Sequence, residues 1–208
     1  PEVMTQVLHI INWMTKHKTV SFDISERLVG GAAYDKEGSS ISDETMQEAL
    51  NSDAVLFGAV GGPNWDNVER HKRPEAAILR LRKDLDLFAN LRPARVFDAL
   101  VESSSLKANL VKGLDILIVR EATSGVYFGL PRGVETIDDN EKKATDTQSY
   151  TTHEIVRIAK VGFDLAKKRS NKLTSVEKAN VMETGKFWRE IVTELHRKEF
   201  SDVELNHM

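Results

Sequence analysis

Between Pro74 and Pro93 the chain reads Pro-Glu-Ala-Ala-Ile-Leu-Arg-Leu-Arg-Lys-Asp-Leu-Asp-Leu-Phe-Ala-Asn-Leu-Arg-Pro, and no other stretch constrains the fold as much. Pro74 suits the first position of a helix, where no backbone N–H is needed, and Glu75 falls in a first turn that favours an anion. Ile78, Leu81, Leu85 and Phe88 recur at helical spacing, which predicts one buried stripe. Arg82 lies on its flank, and Arg92 comes just before a proline that stops a helix from continuing. Further on, Leu114 to Arg120 is a short run of branched apolar residues that reads as a buried strand with a charge at its tip. Any one of these arginines reads first as a solvated surface charge. Arg82, Arg92 and Arg120 together, each beside an element end, fit a pocket for a ligand with several carboxylates, because a guanidinium forks onto each.

The rest of the chain alternates helical and strand-like patterns. Val3, Val7, Leu8, Ile11 and Met14 mark an opening helix with Pro1 at its first position, and Ser42-Asp43 caps another over Met46, Ala49 and Leu50. Asp53 to Pro63 reads as a buried strand running into a glycine-rich loop. Gly58-Ala-Val-Gly61-Gly62 lacks the spacing of the dinucleotide fingerprint, so by itself Gly61-Gly62-Pro63 is a tight turn. Leu100 to Val111 is a weaker helical stretch, and Val126 to Arg132 with Val134 to Ile137 could form an extended arm. Thr151-Thr-His-Glu154 has capping-box spacing ahead of Ile155, Ile158, Ala159, Gly162, Phe163 and Ala166. Leu173 to Val181 is strand-like, Phe187, Trp188, Ile191, Val192 and Leu195 define a last helix, and Val203 to Met208 looks like a strand. This alternation is the signature of an α/β fold, with a boundary near Phe88 to Arg92.

Charge and composition narrow the partners. With 29 basic and 32 acidic residues among 208, the formal charge of −3 provides no basic field for nucleic acid. There is no cysteine, hence no disulfide or thiolate metal site, which fits a reducing cytoplasm. No apolar run approaches the roughly 18 residues of a membrane span. The chain starts on Pro1-Glu2 without a signal-peptide pattern, and its beginning looks cut.

Five segments carry a family likeness: Gly58 to Asp66, Leu81-Arg82-Lys83, Ala89 to Ala94, Ile118 to Glu121 followed by Gly125-Val-Tyr-Phe-Gly129, and Thr174 to Val181. Together they resemble the 3-isopropylmalate dehydrogenases of leucine biosynthesis, along the whole chain. The resemblance implies the two-domain isocitrate/isopropylmalate dehydrogenase-like α/β fold, here incomplete. Residues 1–88 would belong to a cofactor-side domain and 89–208 to a substrate and dimerisation domain, with a β-arm at about 126–140 pairing two subunits into a homodimer. In that family a first strand and a Gly-Asp-Gly-Ile-Gly turn precede the equivalent of Pro1-Glu2, and both are absent here.

The implied activity is oxidation of 3-isopropylmalate by NAD with loss of carbon dioxide, giving 4-methyl-2-oxopentanoate. Arg82, Arg92 and Arg120 would bind the carboxylates. Lys178 would help remove the hydroxyl proton, a base role that positive neighbours or desolvation favour, and Tyr127 would protonate the enolate left by decarboxylation. A tyrosine in a strand is otherwise core or interface, and Asn180 is otherwise a satisfied loop amide. Ile78, Leu79 and Val181 would make an apolar pocket for the isopropyl group, worth about 0.8 kcal/mol per buried methylene. Gly62, Pro63, Asn64, Trp65 and Asp66 would border the nicotinamide half of NAD, with Glu75 the foremost single contact and Asn180 near the same ring. Where the family commonly carries aspartate, this chain has Glu177. The Mg²⁺ or Mn²⁺ ligands of the family come after the equivalent of Met208, so the sequence offers no metal site and residues 1–208 are not expected to turn over alone. Two rivals stay open: a related decarboxylating dehydrogenase of tartrate, malate or homoisocitrate, and a non-catalytic dimerisation or binding fragment.

Overall fold

The computed structural model describes residues 2–18 and 20–208, so Pro1, expected at the first helical position, lies outside them. The chain divides into two compact units, one ending at Asp86 and one running Leu87–Met208.

The first unit is built from helices α1 (Glu2–His17), α2 (Gly31–Glu37), α3 (Asp43–Asn51) and α4 (Pro74–Asp84). Its core is Ile41, Met46, Ala77 and Leu81, with Val29, Ala49, Phe57 and Leu85 packed around it. α3 starts as its sequence predicts, with the Ser42 hydroxyl accepting the Thr45 N–H at 3.2 Å. α1 forms but buries none of its residues, Val3 being 71% exposed. Two expectations need correction. The buried residues of α4 are Pro74, Ala77 and Leu81, so the stripe does not start at Ile78, and Phe88 lies beyond the helix end. Ile78 sits one residue, or about 100° of helix, past Ala77, and that rotation carries it off the core face. The run Asp53 to Pro63 is not a strand: residues 54–62 have no ladder partner, and Leu56 is 61% exposed. Without a partner for its N–H and C=O groups, an extended apolar segment cannot become a sheet element.

The second unit contains three two-stranded sheets. β1 (Ala89–Arg95) and β2 (Asp115–Glu121) are antiparallel, in a register from Ala89↔Glu121 to Arg95↔Asp115. Arg92 and Pro93, expected beside a helix end, therefore sit inside β1. Proline is accommodated there because β1 pairs along one edge only. β2 is a strand, but not a buried one: Ile116 and Ile118 are 47% and 51% exposed. The weak helical stretch becomes a 3₁₀ segment Asp98–Ser103 followed by α5 (Ala108–Val111).

The expected arm is shifted. Val126 to Arg132 is not a strand, because Gly125–Tyr127 forms a 3₁₀ turn, and the hairpin is β3 (Gly133–Thr136) with β4 (Lys142–Thr145). Beyond it, α6 (Thr152–Lys167) opens on the capping box, with both reciprocal bonds between Thr151 and Glu154 present. β5 (Lys172–Ser175) and β6 (Glu204–His207) are parallel and are joined through α7 (Glu183–Glu199). The core beneath them is Ile155, Ala159, Phe163, Ala166, Val192, Leu195, Phe200 and Val203, with Phe163 fully buried and stacked on Phe200 at 4.7 Å.

Candidate active site

The β1–β2 register decides which side chains meet. Asn90 lies opposite Arg120 and Arg92 opposite Ile118, so these residues share one face of the ribbon. Arg92 Nε donates to Asn90 Oδ1 at 2.7 Å, and the Arg120 guanidinium lies 5.2 Å from the centre of the Tyr127 ring. The ribbon thus brings together three of the predicted residues, Arg92, Arg120 and Tyr127, with Asn90 as the spacer that no sequence reading singles out. Its signal is nonetheless present in the sequence: a polar residue two positions before Arg92 in a strand shares that arginine's face.

Tyr127 belongs to the 3₁₀ turn Gly125–Tyr127, not to a strand, and its side chain is 46% exposed. Gly125 has φ +74°, and a Cβ there would come within 2.4 Å of the Tyr150 hydroxyl. Only glycine fits that turn beneath Tyr150. Burial, reinforced by the nearby Glu121 carboxylate, pushes the Tyr150 hydroxyl above its ordinary pKa, against the smaller opposing effect of Arg120. Arg132 Nη1 donates to the Tyr127 carbonyl and closes the turn from the other end.

Lys178, Asn180 and Val181 occupy the loop between β5 and α7, Val181 being 73% exposed. Met182 N–H donates to Lys178 O at 3.0 Å, and the Lys178 carbonyl rests on Gly185, where a Cβ would meet its carbon at 2.6 Å. Next to Lys178 the Glu177 side chain is almost wholly buried. It accepts from Ser175 Oγ at 2.7 Å and pairs with His207 Nδ1 at 2.8 Å. The structure does not bring Val181 against an apolar wall within its own unit, and the Lys178 loop forms its polar contacts with β5, β6 and α7 rather than with the Arg120–Tyr127 cluster.

In the first unit, Ile78 and Leu79 lie four and three residues before Arg82 on α4, and all three are half-buried, outside the core cluster. Glu75 Oε1 lies against Gly61, 2.6 Å from where a Cβ would stand, so the exposed carboxylate leans over the glycine turn. Pro63–Trp65 is a 3₁₀ turn starting from Gly62, and Asp66 follows it. Trp65 is committed to the fold: Nε1 donates to Asp35 Oδ1 at 2.9 Å, and its ring lies against Gly31. Among the described residues no group of three His, Asp or Glu side chains is arranged to hold a metal ion. No described helix is long and apolar enough to cross a membrane.

Comparisons with known proteins place the chain in a family and a fold. The family model for isocitrate/isopropylmalate dehydrogenase matches residues 1–208. Proteins named 3-isopropylmalate dehydrogenase from Pelagibacter ubique and Gluconobacter oxydans are 58% and 54% identical over 208 residues, covering 100% of this chain. The chain spans 56% of the length of each. Among solved structures, isocitrate dehydrogenase from Methylococcus capsulatus superposes on 91% of the chain and 52% of its own, with a TM-score of 0.75 at 26% identity. The apo β-decarboxylating dehydrogenase from Thermococcus kodakarensis covers all of this chain and 54% of its own, with a TM-score of 0.65 at 32% identity. Matched by the family model along its whole length, the chain belongs to the isocitrate/isopropylmalate dehydrogenase family.

Proposed function

We propose that the protein carrying this chain oxidises and decarboxylates 3-isopropylmalate with NAD, giving 4-methyl-2-oxopentanoate for leucine synthesis in the cytoplasm. The observation that carries this reading is the ribbon face on which Asn90 sets Arg92 beside Arg120, with Tyr127 against the second guanidinium. Arg92 and Arg120 offer forked donors to a carboxylate and to the charge that grows on it. Arg82, Ile78 and Leu79 supply a cation and branched apolar surface from α4, which suits an isopropyl group and would leave a third carboxylate unpaired.

Lys178 takes the substrate hydroxyl proton while the carbon-bound hydrogen leaves as hydride. Gly62 to Asp66 and Glu75, and in the second unit Asn180, are the residues that would hold NAD, which when bound would supply the acceptor for that hydride. The bond to the neighbouring carboxyl then breaks, carbon dioxide departs, and its electron pair becomes the enolate. Tyr127 donates a proton to the enolate carbon, and the product keto acid is complete. The glycine turn fits a cofactor in one respect: Glu75 overhangs it as an exposed acceptor. The family's divalent metal finds no donor set among the described residues, so no step here passes through it. The exposed hairpin β3–β4 and Val134, 70% exposed, would pair with a second copy.

The test is NADH formation by the full-length protein with 3-isopropylmalate, against tartrate, malate, homoisocitrate and isocitrate. A kcat/KM for 3-isopropylmalate at least about 10-fold above every other acid is expected from one branched apolar group. Faster turnover of another acid would overturn the substrate assignment. Absence of both turnover and NAD binding would favour the non-catalytic rival.

A further inference from the structure

The most heavily hydrogen-bonded side chain near the candidate site has no role in the steps above. Glu121 follows Arg120 in β2, and alternation points the two side chains to opposite faces of the ribbon: Arg120 toward Tyr127, Glu121 toward α6. Only 2% of the Glu121 side chain is exposed. Its carboxylate accepts the Thr123 N–H at 3.0 Å, the Thr123 hydroxyl at 2.7 Å, the Ser124 N–H at 2.7 Å and the Ser124 hydroxyl at 2.6 Å. From α6, Arg157 reaches Glu121 at 3.6 Å and donates to Thr123 Oγ1 at 2.7 Å, while its guanidinium stacks 4.5 Å from the Phe88 ring ahead of β1. Ala122 N–H donates to Phe88 O at 2.9 Å, which ties the two strand ends together.

A buried carboxylate needs this many donors, and here all four come from the two residues that lead into the Tyr127 turn. Residues 123–125 are therefore folded around Glu121 while Arg120, one peptide away, is aimed at the ring of Tyr127. Gly125 N–H reaches Ser149 O at 3.0 Å, and Gly129 N–H reaches Gly125 O at 3.0 Å, main-chain bonds that hold the turn from its far side. We propose that Glu121, braced by Arg157, is a positioning residue that fixes the Tyr127 hydroxyl relative to the Arg120 guanidinium for the protonation step. This rests on the functional reading above, and it assigns work to a side chain that does not touch the ribbon face where substrate would lie.

Glu121→Gln keeps the shape, removes the charge, and turns one acceptor into a donor that confronts the Ser124 or Thr123 N–H. In the full-length protein kcat should fall by about 10²-fold, the scale of a misplacement of about an ångström, with KM for 3-isopropylmalate changed far less. In a Tyr127→Phe background the same change should cost no more than about twofold, because residues acting as a unit are not additive. Ser124→Ala, which removes one donor and spares the charge, should show the same pattern more weakly and keeps the test open if the glutamine variant does not fold. Equal losses with and without the Tyr127→Phe substitution would overturn the proposal and leave the functional reading standing. An activity-free readout separates the two further: amide exchange at Phe128 and Gly129 should quicken in Glu121→Gln, and unchanged protection there would sink the positioning role. If wild type shows no turnover, the functional reading fails, and quickened exchange would still establish the clamp while removing its catalytic purpose.

Discussion

Two runs of branched apolar residues look alike on paper. Asp53 to Pro63 and Leu114 to Arg120 both read as buried strands, yet only the second is a strand, and neither is deeply buried. The difference lies in their surroundings. β2 finds β1 along seven registered pairs and is backed by α6, whereas residues 54–62 find no ladder partner among the described residues. Strand propensity describes a side chain's fit to a pleated surface, and the surface has to exist first. The paired run is also anchored at both ends, by Glu121 on Thr123 and Ser124 and by Asp115 on Arg169 at 2.7 Å. The unpaired run has Phe57 as its contact with the core of its unit.

The largest effect is expected at the support beneath the paired run. Phe163→Ala, emptying a fully buried site on α6, should cost about 3–5 kcal/mol in urea unfolding and weaken exchange protection along β2. Protection in β2 that survives this loss would mean that the ribbon stands without α6. In the first unit, Leu81→Ala should cost about 2–5 kcal/mol, because Leu81 is 5% exposed in the core. Ile78→Ala, off the core face of α4, should cost clearly less stability and instead raise KM for 3-isopropylmalate; the reverse order would put Ile78 back on the buried stripe.

The anchor at the start of β2 has a pH signature. A hydrogen bond from Arg169 holds the Asp115 carboxyl below the ordinary carboxylate range. A depressed folded pKa favours the folded state above the unfolded value, so this contribution is present at neutral pH and is lost as pH falls through the folded pKa. The exposed, salt-screened pair makes the effect small, and Asp115→Asn should flatten only the acid side of a pH–stability curve. An unchanged acid limb in the variant would show that the anchor contributes nothing measurable. The smallest effect belongs to the unpaired run: Leu56→Thr, at a position 61% exposed, should change stability by no more than about 0.5 kcal/mol. A larger loss would reveal a partner for that run.

Part of the fold is legible in the sequence because local rules act on neighbours. The capping box at Thr151–Glu154 and the Ser42 cap are readable from spacing, since each bond closes within four residues. The Arg92, Arg120 and Tyr127 set comes from motif likeness. Its element assignments do not follow from the motifs: Arg92 sits inside a strand and Tyr127 in a 3₁₀ turn, because a proline and a glycine announce a break without saying which kind. Glu121 stands inside the same Arg-Glu motif without attracting notice. A carboxylate beside an arginine looks like a surface pair until α6 is seen covering it.

Where α3 and α6 start, and which family motifs the chain carries, depend on residues close together in the chain, and the amino-acid order suffices to read them. Long-range packing was needed to establish that Asn90 separates Arg92 from Arg120, that Ile78 turns away from the core, and that Glu121 faces inward while Arg120 faces out. Each of these is set by strand register or helix rotation. A shift of one residue in a strand inverts the face a side chain occupies, one in a helix swings it by about 100°, and only long-range pairing selects among the shifts.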